Sequence, residues 1–185
     1  MKEPILNSDQ RSKKFIFVPF CLLCQAFQAQ GIVRLGFTST LTPILQELIK
    51  LDVNIIQMPC PESKFGGYLK GLNREPKGIS KYDISEFRKL CEEEANEVAL
   101  MIDGILANGY KIVGILGIEY SPSCAVNLQY SGNYKTIRQT GLFISALQGI
   151  LKQKSIDIPF VGINRRAIRS SINKIKTLFE NRLID

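Results

Sequence analysis

Four short apolar runs alternate with helix-like stretches along this chain of 185 residues, and this alternation constrains the fold more than any other feature of the sequence. Each run is nearly continuous in apolar residues, as buried parallel strands are. Strands that alternate with helices form a parallel sheet with helices on both faces and right-handed crossovers. The sequence therefore predicts a Rossmann-like, three-layer α/β fold with a mostly parallel sheet of about four strands, at residues 14–18, 53–57, 110–118 and 158–163.

The helices between these strands are predicted from apolar residues that recur with a period of about 3.6. The first is predicted over residues 42–50, with Thr42 as its N-cap. Asp83 is predicted to cap a long helix that stops at residues 108–109. Two more helices are expected at residues 141–152 and 165–183.

Glycine-bearing stretches without a clear period lie between these elements. Residues 63–82 and the stretch from Cys124 to Gly132 are predicted to be irregular loops, which are often functional when they are long. A polar tail is expected at residues 1–12, followed by a single domain over residues 13–185.

The charge balance favours anionic partners. Lysine and arginine number 24 against 17 aspartates and glutamates, so the net charge is +7. Such a chain prefers nucleotides, RNA or acidic surfaces, and RNA is a possible partner that nothing else in the sequence favours. No apolar segment approaches the ~20 residues of a membrane-spanning helix, so we expect a cytoplasmic protein with no membrane partner.

The chain has five cysteines and no histidine. An odd number of cysteines argues against a disulfide framework and favours thiol chemistry, a metal or buried thiols. The lack of histidine excludes Ser–His and Cys–His catalysis and most catalytic zinc sites. Any chemistry must therefore depend on Cys, Asp, Glu, Lys, Tyr or a bound cofactor.

Three of the cysteines lie just past the ends of three different predicted strands: Cys21, Cys60 and Cys124. Parallel strands end at one edge of a sheet, where ligands of such folds bind, so the three thiols are expected to meet there. Asn164 and Arg165 should reach the same edge from the fourth strand. Three thiolates without histidine suit a soft metal, either an iron–sulfur cluster or zinc.

The surroundings of these cysteines form three motifs, in this order: Cys21-Leu22-Leu23; Pro59-Cys60-Pro61-Glu62 followed by Gly66-Gly67; and Ser121-Pro122-Ser123-Cys124. In this order and spacing they resemble the thiouracil desulfidase family, in particular a diverged branch of it, over about residues 14–143. The resemblance implies a [4Fe-4S] cluster bound by the three motif cysteines, with one open iron. It further implies non-redox, hydrolytic removal of sulfur from a small thiolated substrate, a thiouracil-like nucleobase or nucleotide.

The first motif departs from the family pattern. The family continues with a glycine and then an aromatic-Asp-Gly sequence, whereas this chain has Cys24 and Gln25 and no such aspartate before Gly31. Glu62 is the nearest remaining carboxylate, and it is predicted to be either the catalytic acid–base group or an ordinary turn carboxylate. Residues predicted to bind substrate, or else to be ordinary turn residues, are Tyr120, Ser121, Ser123, Gly66 and Gly67.

The other two cysteines have separate interpretations. Cys91 falls on the apolar face of the long helix and is predicted to be buried packing. Cys24 could replace Cys21 as a ligand, supply a fourth ligand, or form a redox CxxC pair with Cys21.

Two alternative functions remain. The first is a metal-free thiol–disulfide reductase that uses Cys21 and Cys24. The second is a nucleotide- or RNA-binding module, although the chain lacks a Gly-x-Gly-x-x-Gly fingerprint after its first strand.

Overall fold

A parallel sheet lies at the centre of the computed structural model, which describes residues 11–131 and 135–183. Most of the predicted tail, residues 1–10, and Gly132 of the second predicted loop lie outside the described residues. The strands are β1 (Lys14–Pro19), β2 (Asn54–Met58), β3 (Lys111–Ile118), β4 (Leu128–Tyr130), β5 (Thr136–Arg138) and β6 (Phe160–Ile163). β2, β1, β3 and β6 form a four-stranded sheet in that order, and β4 pairs with β5.

All pairings in the four-stranded sheet are parallel, so the strands end at one edge. β1 pairs with β2 up to Pro19 and Met58, and β3 pairs with β6 up to Ile118 and Ile163. Helices cover both faces of this sheet, and the Rossmann-like three-layer prediction is therefore confirmed.

The helices follow the predicted order. They are α1 (Phe20–Leu23), α2 (Thr42–Lys50), α3 (Pro61–Phe65), α4 (Gly67–Leu72), α5 (Ser85–Ala107), α6 (Leu142–Gln153) and α7 (Ile168–Leu183), with 3₁₀ turns at Gln25–Phe27 and Ile79–Lys81. Within the described ranges, no helix combines the length and the apolar character that a bilayer-spanning segment requires.

Two hydrophobic cores lie on opposite faces of the sheet. Residues of β1 alternate between them: Phe17 packs with α5 and α6, whereas Ile16 and Val18 pack with α2 and α7. This alternation is the two-residue period of a strand, and it explains why the first apolar run has no polar face.

Two predicted helix N-caps are wrong by one residue each. Thr42 is the first residue of α2, and Leu41 occupies the N-cap position. Ile84 occupies the N-cap position of α5 in place of Asp83, whose carboxylate instead accepts a hydrogen bond from Arg88 Nε at 2.6 Å. The predicted stop after α5 is confirmed, since Gly109 has the positive φ of 74° that favours glycine at a helix end.

The two predicted irregular loops contain regular structure. Residues 63–82 hold most of α3, all of α4 and a 3₁₀ turn, and the stretch after Cys124 leads into the β4–β5 hairpin. These elements have three to six residues, too few for a helical or strand period to stand out in the sequence.

Candidate functional site

A cavity of about 780 Å³ lies at the edge where the parallel strands end, and we call it the edge cavity. Its wall contains Cys21, Cys60 and Cys124, which follow β1, β2 and β3 respectively. Asn164 and Arg165, which follow β6, lie in the same wall. The fold therefore brings together the three motif cysteines and both residues expected from the fourth strand.

Cys60 owes its position to the prolines around it. It is the N-cap residue of α3, with extended backbone angles of φ −111° and ψ 92°. Pro61 begins the helix, where its fixed φ fits and its missing N–H costs nothing. The Cys60 thiol donates a hydrogen bond to Ser63 Oγ at 3.3 Å, one turn into the helix.

Cys124 is held by a tight loop after β3. Its backbone N–H donates to Ser121 Oγ at 3.0 Å, and its carbonyl accepts the Ile118 N–H at 2.9 Å. A Cβ on Gly117 would lie 2.2 Å from that carbonyl oxygen, and one on Gly141 would lie 2.5 Å from the Ser123 carbonyl oxygen. Only glycine at these two positions lets the loop pack so closely against the sheet.

Burial makes all three thiols weak acids. It raises the pKa of Cys21 from 9.0 to about 12, and repulsion from Cys60 and Glu62 adds to this rise. Burial also raises the pKa of Cys60. The pKa of Cys124 lies well above its ordinary range, mainly because the thiol is buried and also because Cys21 and Cys60 lie nearby. Free thiols here stay protonated at neutral pH, whereas a bound metal deprotonates the thiols that coordinate it.

Glu62 is buried in the wall of the edge cavity, within the first turn of α3. Its Oε1 accepts hydrogen bonds from Ser121 Oγ at 2.9 Å and Ser123 Oγ at 2.8 Å. Its Oε2 lies 3.3 Å from Arg74 Nε. These partners hold the carboxylate beside the cysteine motifs of β2 and β3.

Arg74 connects Glu62 to its surroundings. Its Nη1 donates to Ser63 Oγ at 2.9 Å and to the Gly71 carbonyl at 2.6 Å, and its Nη2 donates to the Phe27 carbonyl at 2.7 Å. Such a planar fork of donors fixes both the arginine and the carboxylate that it contacts.

The other predicted substrate-binding residues divide into two groups. Tyr120, Ser121 and Ser123 lie in the wall of the edge cavity. Gly66 and Gly67 are not among its lining residues; they join α3 to α4, where Gly67 has a φ of 64°. The positions of the two glycines thus lend no support to the substrate-binding role predicted for them.

The two remaining cysteines are not among the lining residues of the edge cavity. Cys91 is buried in the core between α5, α6 and the sheet, as predicted. Cys24 lies between α1 and the following 3₁₀ turn and is not among the lining residues of the cavity. Both are free thiols.

The edge cavity also contains residues that the sequence did not single out. Glu119 directly follows β3, so its position at a strand end could have drawn attention to it. Arg74, by contrast, has no sequence signal, because it approaches Glu62 only through the folding of α3 and α4.

Aromatic rings stack in pairs in the cavity wall. The ring centroids of Phe20 and Phe27 lie 3.8 Å apart, and those of Tyr120 and Tyr130 lie 4.5 Å apart.

The motifs imply a metal cofactor held by the three cysteines of the edge cavity. Among the described residues, no three cysteine or acidic side chains are grouped so that they could hold a metal ion. The three thiols line the edge cavity, and the chain has no histidine to favour another metal. In a [4Fe-4S] cluster each cysteine thiolate binds a different iron, so the cysteines need not converge on one metal ion. Three cysteines without histidine are the ligand types that an iron–sulfur cluster uses.

Comparison with known proteins found distant similarities. No protein-family model matches the chain. An uncharacterized protein of Methanocaldococcus jannaschii is 25% identical over 142 residues, which cover 75% of this chain and 86% of that protein. Among solved structures, the chain is similar to the [4Fe-4S]-dependent thiouracil desulfidase TudS, with a TM-score of 0.46 and 20% identity over 89% of this chain and 99% of the other.

Proposed function

We propose that this protein is an iron–sulfur desulfidase in which Cys21, Cys60 and Cys124 bind a [4Fe-4S] cluster. The observation that carries the proposal is the meeting of three thiols from three strand ends in one cavity, beside a buried carboxylate. The resemblance of the three cysteine motifs to those of thiouracil desulfidases agrees with it. The substrate is a small thiolated compound that fits the edge cavity.

The reaction is a hydrolysis with no net transfer of electrons. Water supplies the oxygen of the new carbonyl, the carbon–sulfur bond breaks, and sulfur leaves as hydrogen sulfide. A cluster held by the three cysteines would supply a Lewis-acidic iron that polarises the thiocarbonyl group. The protein must therefore hold the substrate and move protons.

Glu62 is the proton-transfer group in this proposal. It is buried, and its carboxylate already accepts two hydroxyl hydrogen bonds and an arginine contact. These contacts hold the carboxylate in one orientation, and a remaining lone pair can accept a proton from the attacking water. Arg74 serves as the residue that positions Glu62.

Ser121 and Ser123 orient Glu62 and border the space for the substrate. Their hydroxyls lie 3.3 Å apart, and Ser123 Oγ also lies 3.3 Å from the Cys124 sulfur. The stacked pair Tyr120 and Tyr130 forms a flat aromatic wall that suits a planar heterocycle.

Anaerobic reconstitution with iron and sulfide tests the proposal. We expect close to four irons per chain, a Mössbauer spectrum of a [4Fe-4S] cluster, and loss of the thiocarbonyl absorption of 2- or 4-thiouracil with release of sulfide. The iron-free protein serves as the control and should leave thiouracil unchanged. A reconstituted protein that binds no iron would rule out the proposal.

The same samples separate the alternatives. A metal-free reductase that uses Cys21 and Cys24 would reduce a disulfide substrate without iron, and Cys24→Ser would abolish this activity. A non-catalytic RNA-binding protein would bind RNA in a salt-dependent manner and turn over no thiouracil. Under the proposed function, Cys24→Ser retains both iron and thiouracil turnover.

A further inference from the structure

One aromatic residue in the wall of the edge cavity has a strained backbone. Tyr120 has a φ of 69°, a region that bulky side chains rarely adopt. Among the described residues, Asp52 and Ser155 also have a positive φ without being glycine, and each directly follows the C-cap of a helix, where this conformation is common. Tyr120 instead lies two residues past β3, next to Ser121 of the third cysteine motif. Such strain persists only where the surrounding contacts impose it, and it is concentrated at functional sites.

The contacts that impose this conformation come from β4. The Tyr120 N–H donates to the Leu128 carbonyl at 2.8 Å. On one side of Tyr120, the Leu128 N–H donates to Glu119 Oε2 at 2.9 Å. On the other side, Gln129 Nε2 donates to the Ser121 carbonyl at 2.5 Å. Two residues of β4 thus hold three consecutive residues, 119–121, in place.

Glu119 joins this group of contacts to the main sheet. It is buried, and its backbone N–H donates to the Ile163 carbonyl of β6 at 3.0 Å. Its carboxylate also accepts the backbone N–H and the side-chain amide of Asn127, each at 3.1 Å. A Cβ on Gly162 would overlap this carboxylate, so glycine at that position leaves room for it. The Glu119 carboxylate therefore fixes the start of β4 against the sheet.

Gln129 is fully buried, yet only the donor side of its amide has a partner. Its Oε1 has no hydrogen-bond partner among the described residues. Rotation of the amide would turn this oxygen toward the Ser121 carbonyl oxygen, and two acceptors repel each other, so Nε2 must face Ser121. An apolar side chain of similar size would avoid the cost of the unpaired buried oxygen. The contact with Ser121 is therefore what a glutamine provides at this position.

Ser121 connects these contacts to the proposed proton-transfer group. Its Oγ donates to Glu62 Oε1 at 2.9 Å and accepts the Cys124 N–H at 3.0 Å. Two residues further on, Ser123 Oγ donates to the same Glu62 oxygen at 2.8 Å. A change in the backbone of Tyr120 would turn both hydroxyls away from Glu62, because they directly follow the strained residue in the chain.

We propose that Glu119 and Gln129 are positioning residues that hold Tyr120 in its left-handed conformation. This conformation keeps the two serine hydroxyls described above on Glu62. The proposal rests on the proposed function in one respect, because it takes Glu62 to be the proton-transfer group. The β4–β5 hairpin then determines where that carboxylate points.

Amide hydrogen exchange in the iron-free protein, followed by NMR, tests the geometry without any activity. Gln129→Met keeps the length of the side chain and removes its donor. We expect the Cys124 amide, which donates to Ser121 Oγ, to exchange about tenfold or more faster in this variant. The Ser171 amide, which donates to the Ala167 carbonyl at the start of α7, should keep its rate. An unchanged Cys124 rate would overturn the proposal, and so would an equal increase at both amides.

Turnover by the reconstituted protein tests the consequence for proton transfer. Gln129→Met should lower kcat for thiouracil by about 10–100-fold, because a small misplacement of Glu62 is costly, and should change KM by less than about twofold. The solvent deuterium isotope effect on kcat should increase, since proton transfer becomes slower. Glu119→Gln, which keeps an oxygen acceptor, should retain more of kcat than Glu119→Leu. An unchanged kcat, or a change confined to KM, contradicts the positioning role.

Asn54→Leu is the matched control. Asn54 is the first residue of β2, at the opposite end of the sheet from the edge cavity. Its Nδ2 donates to the Ser12 carbonyl at 2.7 Å and to the Lys14 carbonyl at 3.0 Å, so this variant also loses bonds from a side chain to the main chain. It should keep both kcat and the isotope effect. An equal fall of kcat in Asn54→Leu would assign the effect to general stability and overturn the proposal.

The unaltered iron-free protein covers the case in which Gln129→Met does not fold. The side-chain amide protons of Gln129 should exchange slowly, because the bond to Ser121 is buried, and rapid exchange contradicts the proposal. The outcome is separable from that for the proposed function. Failure to bind iron removes the desulfidase and leaves the exchange result intact, whereas turnover that Gln129→Met does not change removes only the positioning role.

Discussion

Cys91 and Cys124 are both buried cysteines, yet the protein gives them different surroundings. Cys91 lies on α5 among apolar side chains, whereas Cys124 lies in a polar loop with Ser121 and Ser123, at the wall of the edge cavity. Burial raises the pKa of both thiols, so weak acidity does not distinguish them. The difference lies in the neighbours: Cys124 shares its cavity with two other thiols and a carboxylate, and Cys91 does not.

Iron binding should show the largest difference between these two kinds of cysteine. We expect Cys21→Ser, Cys60→Ser and Cys124→Ser each to lose the cluster after anaerobic reconstitution, because a hydroxyl replaces a thiolate ligand. Cys91→Ser should bind as much iron as the unaltered protein. Iron and sulfide content, with the visible absorption spectrum, measures both outcomes. Full iron content in Cys60→Ser would disprove the ligand assignment.

Two buried carboxylates, Glu62 in the edge cavity and Glu94 outside it, allow the same comparison, with a smaller expected effect on the protein than the loss of a cluster ligand. Glu62→Gln removes the proton-transfer group and should lower kcat for thiouracil by about 10²–10⁴-fold, while the cluster spectrum stays unchanged. Glu94→Gln is the control, because Glu94 is as buried as Glu62 but pairs with Lys64 outside the edge cavity. Equal rates in the two variants would assign Glu62 a structural role.

The smallest expected effect concerns the pH dependence of stability. Burial raises the pKa of Cys91 from 9.0 to about 12, so the unfolded chain loses this proton at lower pH than the folded protein does. Stability from this group is fully present below pH 9 and declines as pH rises from 9 toward 12, by at most about 1.4 kcal/mol per pH unit.

Urea unfolding at pH 8 and pH 10.5 measures this decline against Cys91→Ala, which removes the titrating group. The variant should lose less stability between the two pH values than the unaltered protein. Equal losses would mean that the Cys91 thiol does not titrate differently in the folded and unfolded states.

Local patterns in the sequence were sufficient for the main elements and for the positions of the motif cysteines. The apolar runs predicted the four parallel strands, and the rule that such strands share one edge predicted that Cys21, Cys60 and Cys124 approach each other. The same patterns missed the β4–β5 hairpin and the short helices after Cys60, since these have too few residues for a period to appear.

The environment of Glu62 depended on contacts between distant parts of the chain. Ser121 and Ser123 lie 59 and 61 residues away from it in sequence, and Arg74 reaches it across the α3–α4 turn. No local pattern encodes such contacts, and Glu62 in the sequence was only the nearest available carboxylate. The structure adds two hydroxyl donors and an arginine that hold it beside the thiols.

The sequence by itself determined which residues stand at the ends of strands, because hydrophobic periodicity and proline geometry act over a few neighbouring residues. Only the tertiary structure decided which of these residues share a cavity and which donors remain without partners. Arg165 and Gln25, 140 residues apart, illustrate this division. Their contact, and the Arg165 nitrogen that has no acceptor among the described residues, arise from the packing of β6 against the strands that precede it, which is a property of the whole fold.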